Sequence, residues 1–306
     1  MESLILLLSD YTFQTVAIGS AILGLISGVL GTFAVLRKQS LLGDGVSHAA
    51  LPGVVLGFIL IGSKNTEFLL LGALLSGLLS TLLITTIVKY SRIKFDSALA
   101  LIMSVFFGLG LVLLTYVQKI PNANQAGLNR FIFGQASSLM RRDVNLMIIC
   151  GSILLLLLII FWKEFKIFTF DSEFAQSLGF SPKKLDLLLS LMTVTGIILG
   201  LQTVGVILMS AMLVAPAVAA RQWTNKLSVM AFLGAIFGAI SGIFGTAVSS
   251  FIPKLPTGPT IVLFASLIVL ISILLAPGRG ILHRLYRQKH NRSLNIERRA
   301  ENDSTI

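Results

Sequence analysis

Charge is scarce in this chain. Only 12% of its 306 residues are charged, against 55% hydrophobic, and the mean hydropathy is +0.91. So little charge excludes an ordinary soluble globular domain. A single cysteine, Cys150, excludes an intrachain disulfide. The N-terminus lacks a basic n-region: Glu2 and Asp10 flank its short apolar stretch, so no cleaved signal peptide is expected. The motifs G-x-S-x-G, H-E-x-x-H and G-x-x-x-x-G-K-[ST] are all missing. Neither a hydrolase site nor ATP hydrolysis by this chain is therefore expected.

What the sequence does have is apolar runs of about twenty residues, each long enough to cross a hydrocarbon core of about 30 Å. They predict an all-α integral membrane protein, a polytopic helical bundle of about nine transmembrane helices. The spans fall near residues 13–36, 44–61, 68–88, 97–117, 144–162, 185–201, 204–220, 227–251 and 259–276. Residues 1–282 form one bundle in this reading, and 283–306 form a basic cytoplasmic tail that reads as partly disordered.

The net charge of +11 raises the possibility of a nucleic-acid partner, but its distribution argues against one. The basic residues lie in short loops and the tail, where membrane topology accounts for them. With the N-terminus outside and the C-terminus inside, 18 of the 24 basic residues fall on the inner side. Arg141 and Arg142, left outside, are the weakest point of that assignment.

Glycine and proline punctuate the spans. Gly24 and Gly28, and the run Gly234, Gly238 and Gly242, put small residues on one face of a helix, which permits close helix packing. Pro52 and Pro216 fall inside spans and mark expected bends. Residues 121–142 are too broken to span and read as an external loop with a short surface helix. In the polar segment 163–184, Asp171 can cap a short helix, Glu173 sits in its first turn, Ala175 lies within it, and Gly179 can end it in the left-handed conformation. Such a helix between two spans is either a plain loop helix or a grip for a soluble partner. Ser181 and Pro182 then start the next helix.

Asp44 and His48 carry the chemistry. Four residues apart, they share one helix face about one turn apart. An ionisable residue at membrane depth costs roughly 2.5–3.5 kcal/mol on insertion scales, a cost usually tolerated for a pathway or a site. Carboxylate beside imidazole is a metal-ligand pair. The plainer reading makes Asp44 a helix cap and His48 a partner of a neighbouring helix. Ser47, adjacent to His48, points elsewhere on a helix and does not make a nucleophile–base pair.

The stretch Arg37-Lys38-Gln39-Ser40-Leu41-Leu42-Gly43-Asp44-Gly45-Val46-Ser47-His48-Ala49-Ala50-Leu51-Pro52-Gly53 resembles the signature of the permease subunits of manganese/zinc/iron ABC importers. Phe133-Gly134, the 171–179 segment, Gln202-Thr203-Val204-Gly205 and Leu213-Val214-Ala215-Pro216-Ala217 match as well. The likeness covers about residues 10–280 and leaves out the basic tail. It implies a homodimer, or a dimer with a similar permease, in a bacterial plasma membrane. Two cytoplasmic ATPase subunits and an extracellular metal-binding lipoprotein would complete the assembly. It also implies that Asp44 and His48 line the metal path, that the 171–179 helix couples to the ATPase, and that residues 125–142 help receive the binding protein.

One Asp and one His are too few ligands for a well-held divalent ion, whereas a two-fold axis would bring two of each together. That mixture of oxygen and nitrogen without thiolate suits Mn2+, Zn2+ or Fe2+. Manganese is chosen from the resemblance and the oxygen-rich pair, then zinc, then iron; no permanently bound cofactor is expected. Two carboxylates drawn together repel, so metal entry is expected to displace a proton. The alternative reading is a proton-coupled secondary metal transporter with Asp44 and His48 as the relay. A membrane enzyme or scaffold would need a further polar cluster at depth, which the sequence lacks.

Overall fold

The computed structural model describes residues 10–62, 65–119, 134, 136, 139–201, 203–252, 254–277, 279–283 and 287–288. Twelve helices are found among them. They are α1 (Tyr11–Leu36), α2 (Leu42–Ala49), α3 (Leu51–Ile61), α4 (Thr66–Tyr90), α5 (Phe95–Gln118) and α6 (Arg141–Ile160). There follow α7 (Trp162–Phe170), α8 (Ser172–Ser177), α9 (Pro182–Leu201), α10 (Val206–Trp223), α11 (Leu227–Phe251) and α12 (Thr257–Leu275). No strand occurs among the described residues.

Eight stretches are long and apolar enough to cross a membrane: α1, the α2–α3 pair, α4, α5, α6, α9, α11 and α12. The remaining expected span, α10, is a helix of 18 residues, interior to the bundle and packed against α1, α2, α11 and α12. Contacts between helix ends show which of them share a side. Arg142 at the start of α6 pairs with Glu67 at the start of α4 at 2.6 Å, and Arg141 lies 5.0 Å over the ring of Tyr11 at the start of α1. At the opposite end, Trp223 closing α10 donates to the Ser272 hydroxyl near the end of α12 at 3.0 Å. Arg279 holds the Arg221 carbonyl at 3.1 Å and pairs with Asn225. The two arginines that strained the charge assignment thus each have a local partner.

The core lies where α1 and α10 are enclosed by their neighbours. Phe33, Ile26, Leu30 and Met209 are fully buried there. Helix α11 runs along α1 at main-chain contact. A Cβ on Gly28 would stand 2.0 Å from the Gly234 carbonyl oxygen, and one on Gly242 would stand 2.5 Å from that of Ser20. The glycine stripe is therefore a packing seam, as its spacing suggests. The outward faces of α4, α5 and α6 expose Leu75, Val112 and Ile159, apolar side chains that lipid, not water, would cover.

One feature beyond the sequence reading has a physical cause. The polar segment 163–184 begins as a helix: α7 occupies its first part, because Phe165 and Phe168 turn inward. Trp162 and Phe165 pack edge-on against Phe33 of α1, with ring centroids 5.8 and 6.2 Å away. Pro216, marked in the sequence as an expected bend, lies inside α10. The proposed surface helix around residues 131–133, most of the external loop and nearly all of the tail lie outside the described residues.

Candidate functional site

The site begins where α1 ends. Lys38 takes a left-handed φ of 58°, its amide bonds the Val35 carbonyl at 3.1 Å, and the Gln39 amide bonds that of Ala34 at 2.8 Å. This pair of reversed bonds is a Schellman turn with lysine in the place glycine usually takes. The chain then winds directly into α2: Leu42 bonds the Gln39 carbonyl, and Asp44 and Gly45 both bond that of Leu41. Helix α2 ends at Ala49, and α3 starts with Leu51 and Pro52. Proline has no N–H for the carbonyl four residues back, so the helix breaks where proline must sit near a helix start. Ser76 of α4 donates its hydroxyl to the Ala49 carbonyl at the break, at 2.6 Å.

Asp44 and His48 are brought together on α2. Nε2 of His48 lies 3.6 Å from Oδ1 of Asp44. That is too long for a hydrogen bond. It is near the spacing of two donors on one ion: bonds of about 2.1 Å to a tetrahedral ion put ligands about 3.4 Å apart. The histidine side chain is 20% exposed and the aspartate 37%, so the pair is reachable yet walled by apolar helices. The ring of Phe107 on α5 meets the imidazole edge-on, centroids 4.6 Å apart. Nδ1 of His48 is buried and has no hydrogen-bond partner among the described residues. Asp44 does not act as an N-cap; it lies in the first turn of α2, whose N-cap residue is Leu41. Ser47 gives its hydroxyl to the Gly43 carbonyl at 2.6 Å and leaves His48 alone.

Close packing fixes where this pair faces. A Cβ on Gly43 would come 3.3 Å from Ser210 on α10, and one on Gly45 would come 2.8 Å from Leu99 on α5. No group of three or more His, Cys, Asp or Glu able to hold a metal occurs among the described residues.

The polar connection between α6 and α9 carries α8. The Asp171 carboxylate accepts from the Glu173 and Phe174 amides at 3.1 and 2.9 Å. Gly179, at φ 88°, ends the helix with its own amide on Gln176 and the Phe180 amide on Ala175. Ala175 is fully buried and seats the helix on the bundle. Phe174 and Leu178 are the apolar side chains α8 offers outward, 53% and 51% exposed and four residues apart. Sequence reasoning missed these two, although an i, i+4 apolar pair on a polar connecting segment was visible. It also missed Phe107 and Ser76, which no spacing rule connects to Asp44 or His48.

Three comparisons place this geometry. Residues 9–276 match the model of the ABC 3 transport family. The zinc transport system membrane protein TroC of Treponema pallidum is 51% identical over 289 residues, covering 94% of this chain and 97% of that protein. The manganese transport system membrane protein MntC of Bacillus subtilis is 48% identical over 286 residues, covering 94% of this chain and 66% of that protein. Among solved structures, PsaBC from Streptococcus pneumoniae in complex with Fab superposes with a TM-score of 0.80 at 33% identity, covering 92% of this chain and 97% of that one. With its polytopic helices and its break at Pro52, this multi-pass bacterial membrane protein belongs to the ABC 3 transport family.

Proposed function

We propose that this chain is the membrane-spanning permease of an ATP-binding-cassette importer that passes a divalent metal ion from an external binding protein into the cytoplasm. Manganese is the first choice of substrate, followed by zinc and iron(II). The observation that carries this reading is the Asp44–His48 pair, its donors 3.6 Å apart at a helix break within the bundle. The similar proteins named for zinc and manganese transport support it.

Two copies of this chain, or one copy and a similar permease, complete the ligand set. Two carboxylates then offset the charge of a 2+ ion, and two imidazoles add nitrogen donors. An N-out, C-in orientation, supported by the basic residues, puts α8 in the cytoplasm. There α8 carries the force of a separate ATPase subunit through Phe174 and Leu178, with Asp171, Glu173 and Gly179 shaping it and Ala175 seating it. The break before Pro52 is the joint at which the metal-bearing α2 moves. Residues 1–282 act as one domain, with the basic tail beyond it.

Uptake by the reconstituted complex tests the energy source. Proteoliposomes holding the permease and its ATPase, fed with metal-loaded binding protein, should take up metal only when ATP is present. Uptake that persists without ATP and collapses with a protonophore would make the chain a secondary carrier instead.

A further inference from the structure

We propose that Arg37 is a positioning residue that ties the mounting of α8 to the metal-bearing helix α2, so that motion at the ATPase face reaches Asp44. This rests on the coupling role proposed above for α8. Arg37 closes α1, and its side chain is only 13% exposed. The guanidinium forms an ion pair with Asp186, near the start of α9. Its carbon also lies 4.8 Å from the ring centroid of Phe168, on α7. These are the two legs between which α8 is hung, α7 leading into Asp171 and α9 leaving after Phe180. One side chain therefore holds both legs, by charge on one and by the aromatic face on the other.

The other end of the connection is short and largely hydrogen-bonded. Arg37 is followed by the Schellman turn at Lys38, then by bonds from Leu42 to Gln39 and from Asp44 to Leu41. Tight turns with amide bonds from Lys38, Gln39, Leu42 and Asp44 join Arg37 to Asp44, and a displacement of the guanidinium is passed on as a displacement of α2. Asp186 is the acidic partner on the α9 leg. Only an arginine answers both demands, because its planar fork pairs with a carboxylate while its face stacks on a ring.

The test uses the full complex of permease, ATPase and binding protein in proteoliposomes, with manganese as the probe. Arg37→Gln and Asp186→Asn each remove the ion pair without changing side-chain size greatly, and Arg37→Glu/Asp186→Arg restores it reversed. Assembly and ATP hydrolysis should stay near wild type in Asp186→Asn, while manganese taken up per ATP hydrolysed falls about tenfold, the scale of a site-to-site coupling. The reversed pair should recover much of the loss. If Arg37→Gln does not assemble, Asp186→Asn decides alone, since it leaves Arg37 and its ring contact in place. Wild-type uptake per ATP in an assembled Asp186→Asn complex overturns the proposal. Absence of ATP-driven uptake by the wild type overturns the coupling reading beneath it, a separate result.

Discussion

Gly238 on α11 rests directly on the main chain of Gly24 on α1. A methyl group on either would stand 2.0 or 2.1 Å from the other's carbonyl oxygen. Contact this close leaves no side chain to yield, so the two helices would have to part. Gly24→Ala or Gly238→Ala is therefore expected to destabilise the bundle by about 2–3 kcal/mol, the upper range for overpacking. Gly108 on α5 is the control, because a methyl there meets nothing within 4 Å. Gly108→Ala should leave stability unchanged or raise it by about 0.4–1 kcal/mol. Thermal melting of the detergent-solubilised protein separates the two cases.

The exposed pair on α8 predicts a binding defect without a folding defect. Phe174→Ala and Leu178→Ala each remove an apolar side chain about half of which faces outward. Each should weaken association with the ATPase subunit by about 2 kcal/mol, roughly thirtyfold, if these side chains act as interface anchors. Titration of purified ATPase onto the solubilised permease measures it. An unchanged affinity in both variants removes them from the interface.

The caps of α8 predict a local effect. Asp171→Ala leaves two amides without their acceptor and should cost the helix about 1 kcal/mol. Gly179→Ala forces a left-handed residue with a Cβ, a penalty of about 1–2 kcal/mol. Faster hydrogen exchange confined to the amides of α8 is the expected result.

Acid should weaken metal binding, because protons compete with the ion for an imidazole that ligates only when neutral and for a carboxylate that ligates when charged. Metal affinity is then greatest on the alkaline side and is lost as pH falls, with protons released when metal enters. His48→Gln should bind weakly and show a flatter dependence. Calorimetry in buffers of different ionisation heat counts the released protons, and a count that stays at zero as the pH is lowered into the acidic range contradicts the ligand assignment.

Much of the bundle was legible in the chain because lipid imposes one demand on every span. Long apolar runs and their basic ends locate α1, α4, α5 and α11 closely. The α2–α3 break was legible because Pro52 allows few alternatives. Helix α7 was hidden, since Trp162-Lys163-Glu164-Phe165 alternates charge with aromatics and looks like a loop until Phe33 is seen behind it. The spacing of Gly234, Gly238 and Gly242 announced a packing seam but not its partner. The pairing of Arg37 with Asp186, 149 residues away, left no local trace at all. At the site, Asp44 and His48 were readable from a four-residue spacing, whereas Phe107 and Ser76 depend on how α4 and α5 pack.

The most direct test is metal accumulation in cells that lack this gene, complemented with wild type, Asp44→Ala or His48→Ala, with manganese, zinc and iron measured together and membrane levels of each variant matched. Wild type should restore manganese and both variants should not. Accumulation by the two variants equal to wild type would contradict the account, and would leave the Asp44–His48 pair a feature of packing and not of transport.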